Sequence, residues 1–429
     1  MTGHPVEQQP VLPPEPSGPP PPERIESPLR LWHALSYRDF RIYWTGQTVS
    51  LVGVWMQNAA LAWVVVGLTG SATKIAAVSF TSSVPVVLLS LFAGVLADRY
   101  SRRRLMIACH VAFTLLATAA GLLIHLGQLT LSLVYGLALL LGVVAAIELP
   151  SQRALLRQLV PPEAIQPAVA LQGASFHGSR LIGPALAGVV MAVVSIAVVF
   201  VINALSYVAV VVSLLLIRPR RAARSVQSGW AALREGLGYV RRERRVAALL
   251  GFVGLTTSCV FPYLAVFTPL VVKEMFGGDA TAFGLLMSSS GFGALVGSLA
   301  LVRVRERWRG RTIVLGCLVA GAMLVWISFI RSPWPACPVV AIMTFSVSLA
   351  LGLCNTILQL TVPENLLGRV MSLHTLLFAG LMPTAALLWG GVVGILGLAP
   401  TILVMGVGYL ALALPWLAVA RVGRSVEGG

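Results

Sequence analysis

Apolar runs of about twenty residues recur along this chain, each cut off by charge, proline or glycine, and twelve of them fall between residues 44 and 420. A helix of that length matches the roughly 30 Å hydrocarbon core of a bilayer, so each run predicts one crossing. The first six are expected at 44–68, 75–97, 104–126, 129–149, 166–191 and 195–217. The second six follow at 247–272, 281–302, 312–330, 336–360, 370–394 and 400–420. This order predicts an all-α membrane protein with an N-terminal half over 36–217 and a C-terminal half over 247–420.

Three stretches break the rhythm. Ten of the 26 prolines lie in the first 28 residues, which hold few bulky apolar groups, so residues 1–35 are expected to form a disordered tail. No basic stretch there precedes an apolar run and a small-residue cleavage site, so the first crossing is expected to direct insertion. Residues 218–246 separate the halves, and "SGWAALREGLGYVRRERR" places Trp230, Leu233, Leu237 and Val240 on one helical face. Arg234, Arg241, Arg242, Arg244 and Arg245 fall largely elsewhere, as in an amphipathic helix on anionic lipid; a solvated charged linker is the alternative. Residues 421–429 form a second short tail.

Composition agrees: 57% of residues are hydrophobic, 11% are charged and mean hydropathy is +0.87, outside the range of soluble domains. Of the 31 basic residues, all but Lys74, Arg180, Lys273 and Arg331 fall on the side of the tail, the linker and the carboxyl terminus. Basic residues collect in cytoplasmic loops, so both termini are expected in the cytoplasm, with the chain in the cell membrane. The net charge of +16 is thereby a topology signal, and no nucleic-acid partner is inferred from it.

Other chemistry finds little support. The two lysines, Lys74 and Lys273, precede Ile and Glu, so there is no phosphate-binding GK[ST] sequence. The cysteines at 109, 259, 317, 337 and 354 show no paired spacing and the six histidines are scattered, so neither a metal site nor a disulfide framework is expected. "GFGALVG" (291–297) lies inside an apolar helix, where Gly293 and Gly297 suit close packing better than a nucleotide loop. No catalytic constellation assembles by motif, no cofactor is expected, and the chain is not expected to be an enzyme.

The halves repeat. "TVPENLLGRVMSLHTLLFAG" (361–380) aligns with "LVPPEAIQPAVALQGASFHG" (159–178) at an offset of 202, and "GSLALVRVR" (297–305) with "GVLADRYSR" (94–102) at 203. Each pair occupies the same place in its half, as in transporters that rock two six-helix units about a central site.

"GVLADRYSRRRL" (94–105) resembles the loop signature of the major facilitator superfamily, with Gly94, Asp98, Arg99, Arg102 and Arg103 matching it. Ser101 stands where the signature usually has a second Gly, and Leu301 where the second half would repeat Asp98. "LPSQRALLRQLVP", "SRLIGPALAGVV", "FVINALSYVAV" and "LLGRVMSLHTLLFAGLMP" resemble the drug and siderophore exporter branch, which includes enterobactin exporters and macrolide efflux proteins. The similarity covers about 35–420. It implies twelve helices as two pseudo-repeats, and a latch between Asp98 and the start of the eleventh helix near Arg369; the positive-inside rule explains the arginines but not Asp98.

In the fifth helix, Ser179, Gly183, Pro184, Ala187 and Gly188 resemble a degenerate antiporter motif, whose small residues permit close approach, and His177 and Arg180 lie on the same helix. Arg180 is read as a substrate or carboxylate contact, or as a brace between helices; His177 as a proton-coupling group or a satisfied interior histidine. The arginine common in the fourth helix of antiporters is missing near Ala138. Glu148 either titrates in a cavity or pairs with Arg153. Because the family places helices 1, 4, 7 and 10 around its cavity, Gln57, Asn58, Asn355 and Gln359 are the substrate-binding candidates, each alternatively an interhelical hydrogen bond.

The expected function is secondary active transport: proton-coupled export of a small amphipathic drug, antibiotic or siderophore. Uptake or facilitated diffusion is the alternative, and a non-transporting sensor a third. The expected partners are a small-molecule substrate, protons and membrane lipids; the sequence leaves the oligomeric state open and is compatible with a monomer.

Overall fold

The structure is a computed structural model that describes residues 28–218 and 229–419, without the side chains of 28–31, 90–99, 229–235, 364, 365, 379 and 414–419. The expected tails at 1–27 and 420–429, and linker residues 219–228, lie outside the described residues. Within the expected first tail, Pro28–Ser36 forms a short 3₁₀ helix whose Ala34 is buried.

Six helices form the first half: α1 (Arg38–Thr69), α2 (Ala72–Arg99), α3 (Arg102–His125), α4 (Leu131–Leu159), α5 (Ile165–Val193) and α6 (Ile196–Leu216). The amphipathic linker helix is α7 (Gly229–Arg242). The second half begins with α8 (Arg244–Cys259), continued to Met275 by π-helical turns on either side of the short α9 (Thr268–Leu270). It ends with α10 (Ala280–Ala300), α11 (Arg309–Ile327), α12 (Pro333–Thr361), α13 (Glu364–Leu396) and α14 (Leu398–Val419). Among the described residues, eleven spans are long and apolar enough to cross a membrane, and Leu398–Ala413 of α14 is a shorter apolar stretch. There is no strand among them.

Two boundaries differ from expectation for packing reasons. The fourth crossing continues through Pro150 to Leu159, ten residues beyond its expected end. A proline inside a helix costs roughly 3 kcal/mol, but the added turns bury Leu155, Leu156 and Leu159 against Phe40, Tyr43 and Met106. The seventh crossing, expected as an ordinary helix, is wound wide around Pro262 and Pro269. There the Thr268 hydroxyl donates to the carbonyls of Tyr263 (2.8 Å) and Leu264 (3.2 Å), satisfying acceptors that a regular ladder would have used.

The packing repeats as the sequence does. Contacts of α2 with α4, α3 with α6, and α1 with α5 and α6 are matched by α10 with α12, α11 with α14, and α8 with α13 and α14. The halves meet through α5 against α10 and α2 against α13, which are themselves equivalent pairs. Small residues set these approaches: a Cβ on Gly188 would lie 3.1 Å from Cα of Gly284, and one on Gly390 would lie 2.9 Å from Cα of Thr73.

The bundle has two ends. One carries the α2–α3 and α4–α5 connections and the central linker, here the linker side; the other carries the α1–α2 connection, here the far side. On the far side the halves are sealed: the Thr73 hydroxyl donates to Gly390 O (2.8 Å), Lys273 Nζ donates to Val66 O (3.5 Å), and Trp63 stacks on Phe283 at 5.6 Å. Toward the linker side, Val169 and Phe176 on α5 and Leu376 and Phe378 on α13 are exposed. Helix α7 packs on α13, with Gly236 against Arg369.

Candidate functional site

Between the halves lies a cavity of about 930 Å³. Among the described lining residues, helices α1 to α6 furnish the polar groups, while the second half adds Ala265, Val266, Pro269, Phe283 and Met287. Ala265 and Val266 belong to the first π-helical segment, so the widened winding places part of the apolar wall. Gln152, Val169 and Gln172, from the linker-side parts of α4 and α5, border it, so the cavity extends toward the linker side.

Four of the sequence-chosen residues line this space: Gln57, Asn58, Glu148 and Pro184. Gln57 is buried, and its Oε1 accepts a 2.7 Å hydrogen bond from Asn203 Nδ2, while Ser206 holds Asn203 in turn. Gln57 thus ties α1 to α6 while bordering the cavity. Asn58 is exposed to it.

Of the two surroundings considered for Glu148, a cavity or a pair with Arg153, it has the cavity. Arg153 is exposed, and among the described residues Glu148 forms neither an ion pair with it nor a hydrogen bond with any group. The reason is the continued helix: Glu148 and Arg153 are five positions apart on α4, which turns them to different faces. Glu148 instead lies within electrostatic reach of Tyr43, Cys109 and Tyr207. It is the only Asp, Glu, Lys or Arg among the described lining residues.

Among the polar lining groups that the sequence reading passed over are His110 and Gln47. His110, buried on α3, gives its Nδ1 hydrogen to Met106 O (2.9 Å) and packs edge-on to Phe113 and Tyr207. Gln47, on α1, is buried with its Oε1 unpartnered. Both lie within expected crossings, and the rule that singled out Gln57 and Arg180, a polar group inside an apolar run, would have found them.

Asn355 and Gln359 are not among the described residues that line this cavity. Four residues apart on α12, they satisfy each other, with Gln359 Nε2 donating to Asn355 Oδ1 at 3.4 Å. His177 and Arg180 are also outside its lining. Arg180 Nη2 donates to Ser290 on α10 (3.2 Å), and its guanidinium lies 5.7 Å from the centroid of the Trp55 ring on α1. It therefore joins three helices across both halves, the geometry of a brace. His177 packs edge-on to Phe176, and its Nδ1 is buried and unpartnered. Gly183 lies against Trp55 and Val52 of α1, and Gly188 against Ala280 and Gly284 of α10, so the helix 5 glycines serve close approach on two sides.

Gly94, Asp98 and Arg99 fall at the end of α2, where side chains lie outside the described residues. Arg102 opens α3 after Ser101, whose φ of −62° and ψ of 121° suit any residue, so no glycine is needed there. Arg103 is engaged elsewhere: Nε and Nη2 donate to the carbonyls of Leu214 (2.6 Å) and Leu215 (2.8 Å), capping the end of α6. No group of three His, Cys, Asp or Glu able to hold a metal occurs among the described residues.

Two equivalent six-helix halves around a drug-sized cavity define a multi-pass membrane transporter of the major facilitator type. The chain belongs to the family described as transmembrane secretion effectors, which it matches over residues 30–423. It is 25% identical to the staphyloferrin A transporter of Staphylococcus aureus over 400 residues, 89% of this chain and 96% of that protein. It is 23% identical to macrolide efflux protein A of Streptococcus pyogenes over 362 residues, 81% of this chain and 88% of that one. Among solved structures, a bacterial homologue of the human lysosomal transporter Spinster, inward-facing and unoccupied, is similar with a TM-score of 0.70 at 12% identity, covering 94% of this chain and 100% of that one.

Proposed function

We propose that this protein exports a small amphipathic molecule across the cell membrane in exchange for protons, by alternating access. The observation that carries this reading is a cavity of about 930 Å³, with the halves in contact on the far side and the lining continuing toward the linker side. With the basic residues marking the linker side as cytoplasmic, both termini are inside and the cavity stands ready to load from the cytoplasm or inner leaflet. The efflux named for one relative supports the outward direction.

In the transport step the far-side contacts part while the exposed faces of α5 and α13 close on the linker side. Glu148 is the proton acceptor of this mechanism, because it is the one carboxylate among the described residues that border the cavity. Asp98 with its arginine cluster forms the cytoplasmic latch, and Arg180 braces α1, α5 and α10 as the halves rock.

The test is flux in proteoliposomes under an imposed pH gradient, with a mixed panel of lipophilic drugs and siderophores, following both solute and internal pH. Solute accumulation against its gradient with opposite proton movement is the expected result. Flux indifferent to the gradient would replace exchange by facilitated diffusion.

A further inference from the structure

Arg180 lies near the midpoint of α5 (Ile165–Val193), and its hydrogen-bond partner Ser290 at the midpoint of α10 (Ala280–Ala300), so the pair sits at mid-membrane depth. A guanidinium there is far from bulk water and headgroups and needs a compensating negative charge. Among the described residues Arg180 forms no ion pair. Its Nη2 meets a neutral hydroxyl, the Trp55 ring supplies only a quadrupole, and its Nε is buried and unpartnered. The acidic residues of the helices whose side chains lie outside the described ones are Asp98 and Glu364, at the linker-side ends of α2 and α13, and Glu235 on α7. None of these positions is at the depth of Arg180.

Further donors gather at the same level. His177, three residues earlier on the same face of α5, lies within electrostatic reach of Arg180, and its Nδ1 is buried and unpartnered. Ser288 is placed by the register of the two helices: Gly284 abuts Pro184 and Gly188, while Gly291 abuts Arg180 and Leu181. Ser288 stands between those glycines on one stripe of α10, against the α5 turn that begins at Arg180, and its Oγ is also buried and unpartnered. Ser290 accepts from Arg180 and keeps its own hydroxyl hydrogen to donate. Two hydroxyls, an imidazole and a guanidinium N–H around one fixed positive charge form a donor set suited to an anion.

The neighbouring rings limit its size. Trp55 and Phe176, in edge-on contact at 5.6 Å, line the cavity, whereas His177, Arg180, Ser288 and Ser290 are not among its described lining residues. The Trp55 ring therefore stands between the guanidinium and any drug-sized solute in the cavity. We infer that the α5–α10 seam binds a small monovalent anion, chloride in a cell, held by Arg180 with Ser288, Ser290 and His177 as further donors. The anion neutralises the buried charge and bridges donors of the two halves, so parting α5 from α10 at this depth gives it up. The inference is independent of the direction of transport and of proton exchange.

The experiment measures radiochloride binding and melting temperature of the full-length protein in nanodiscs, with sodium chloride set against sodium gluconate at equal ionic strength. The wild type should bind about one chloride per chain saturably, and melt about 2–4 °C higher in saturating chloride than in gluconate. Arg180→Met, which removes the charge from a long side chain, should bind no chloride and melt alike in both salts. Ser288→Ala takes away an oxygen that has no partner in the protein, so it should melt with the wild type in gluconate but need several-fold more chloride for the same gain. Where Arg180→Met does not fold, Ser288→Ala carries the test by itself.

Equal melting of the wild type in the two salts, no saturable radiochloride binding, a chloride gain that survives Arg180→Met, or wild-type chloride affinity in Ser288→Ala would each overturn the inference. Displacement of the radiochloride by a drug-sized carboxylate would overturn it as well, since Arg180 would then be a contact for the transported solute.

Discussion

Arg103 and Asp98 are five positions apart in one charged stretch, yet they call for opposite experimental signatures. Arg103 caps the last carbonyls of α6 with two charge-assisted hydrogen bonds. Arg103→Gln should therefore cost about 1–2 kcal/mol, discounted for partial exposure, and appear as a lower melting temperature in detergent. Asp98→Asn should leave insertion and melting temperature largely intact while slowing transport, if the latch moves. Equal rates for Asp98→Asn and wild type would return the cluster to topology alone. In the sequence both residues belong to one motif. What divides them is the end of α6, more than a hundred positions later, which no local signal announces. Glu148 shows the same limit: its position was legible as a lone carboxylate near a crossing, but its lack of a partner depends on which way Arg153 turns.

The helices themselves were legible where period and apolar length decide, and less so where proline does. Local rules end the fourth helix at Pro150, but the leucines beyond it gain enough burial to carry α4 onward. Around Pro262 and Pro269 the opposite holds, and the widened winding replaces an ordinary helix. The Thr268 hydroxyl serves two carbonyls there, so Thr268→Val, nearly equal in shape, should strip a buried donor from the wide turns. The expected cost is about 1–3 kcal/mol, measured as a lower melting temperature and faster amide exchange confined to residues near 263–268. Thr268→Ser, which restores the hydroxyl, should recover most of it. Because Ala265, Val266 and Pro269 border the cavity, loosening this segment should also weaken substrate affinity, whereas an equally destabilising change at the α6 cap should not.

The duplicated halves were readable from two aligned segments, and their rocking follows from which surfaces touch. The equivalent pairs α5–α10 and α2–α13 join the halves, and their closest approaches use glycines that admit no side chain. A Cβ at position 390 would stand 2.9 Å from Cα of Thr73 and 3.1 Å from its backbone nitrogen, atoms that no rotamer change can move aside. Gly390→Val must therefore push α2 and α13 apart on the far side, where Thr73 and Gly390 are hydrogen-bonded in the sealed state. In alternating access the far-side contact parts in the opposite state, so the substitution should raise the free energy of the sealed state and shift the population toward the far-side-open state. Placed in a cysteine-free background, Ala62→Cys reports on the shift, since Ala62 lines the cavity in the part of α1 nearer the far side. A membrane-impermeant maleimide added from the far side should label it slowly in the wild type and several-fold faster with Gly390→Val. Substrate affinity measured from the linker side should fall in parallel, as the loading state becomes less populated. Unchanged labelling would mean that the α2–α13 contact persists through the cycle, leaving α5–α10 as the moving interface.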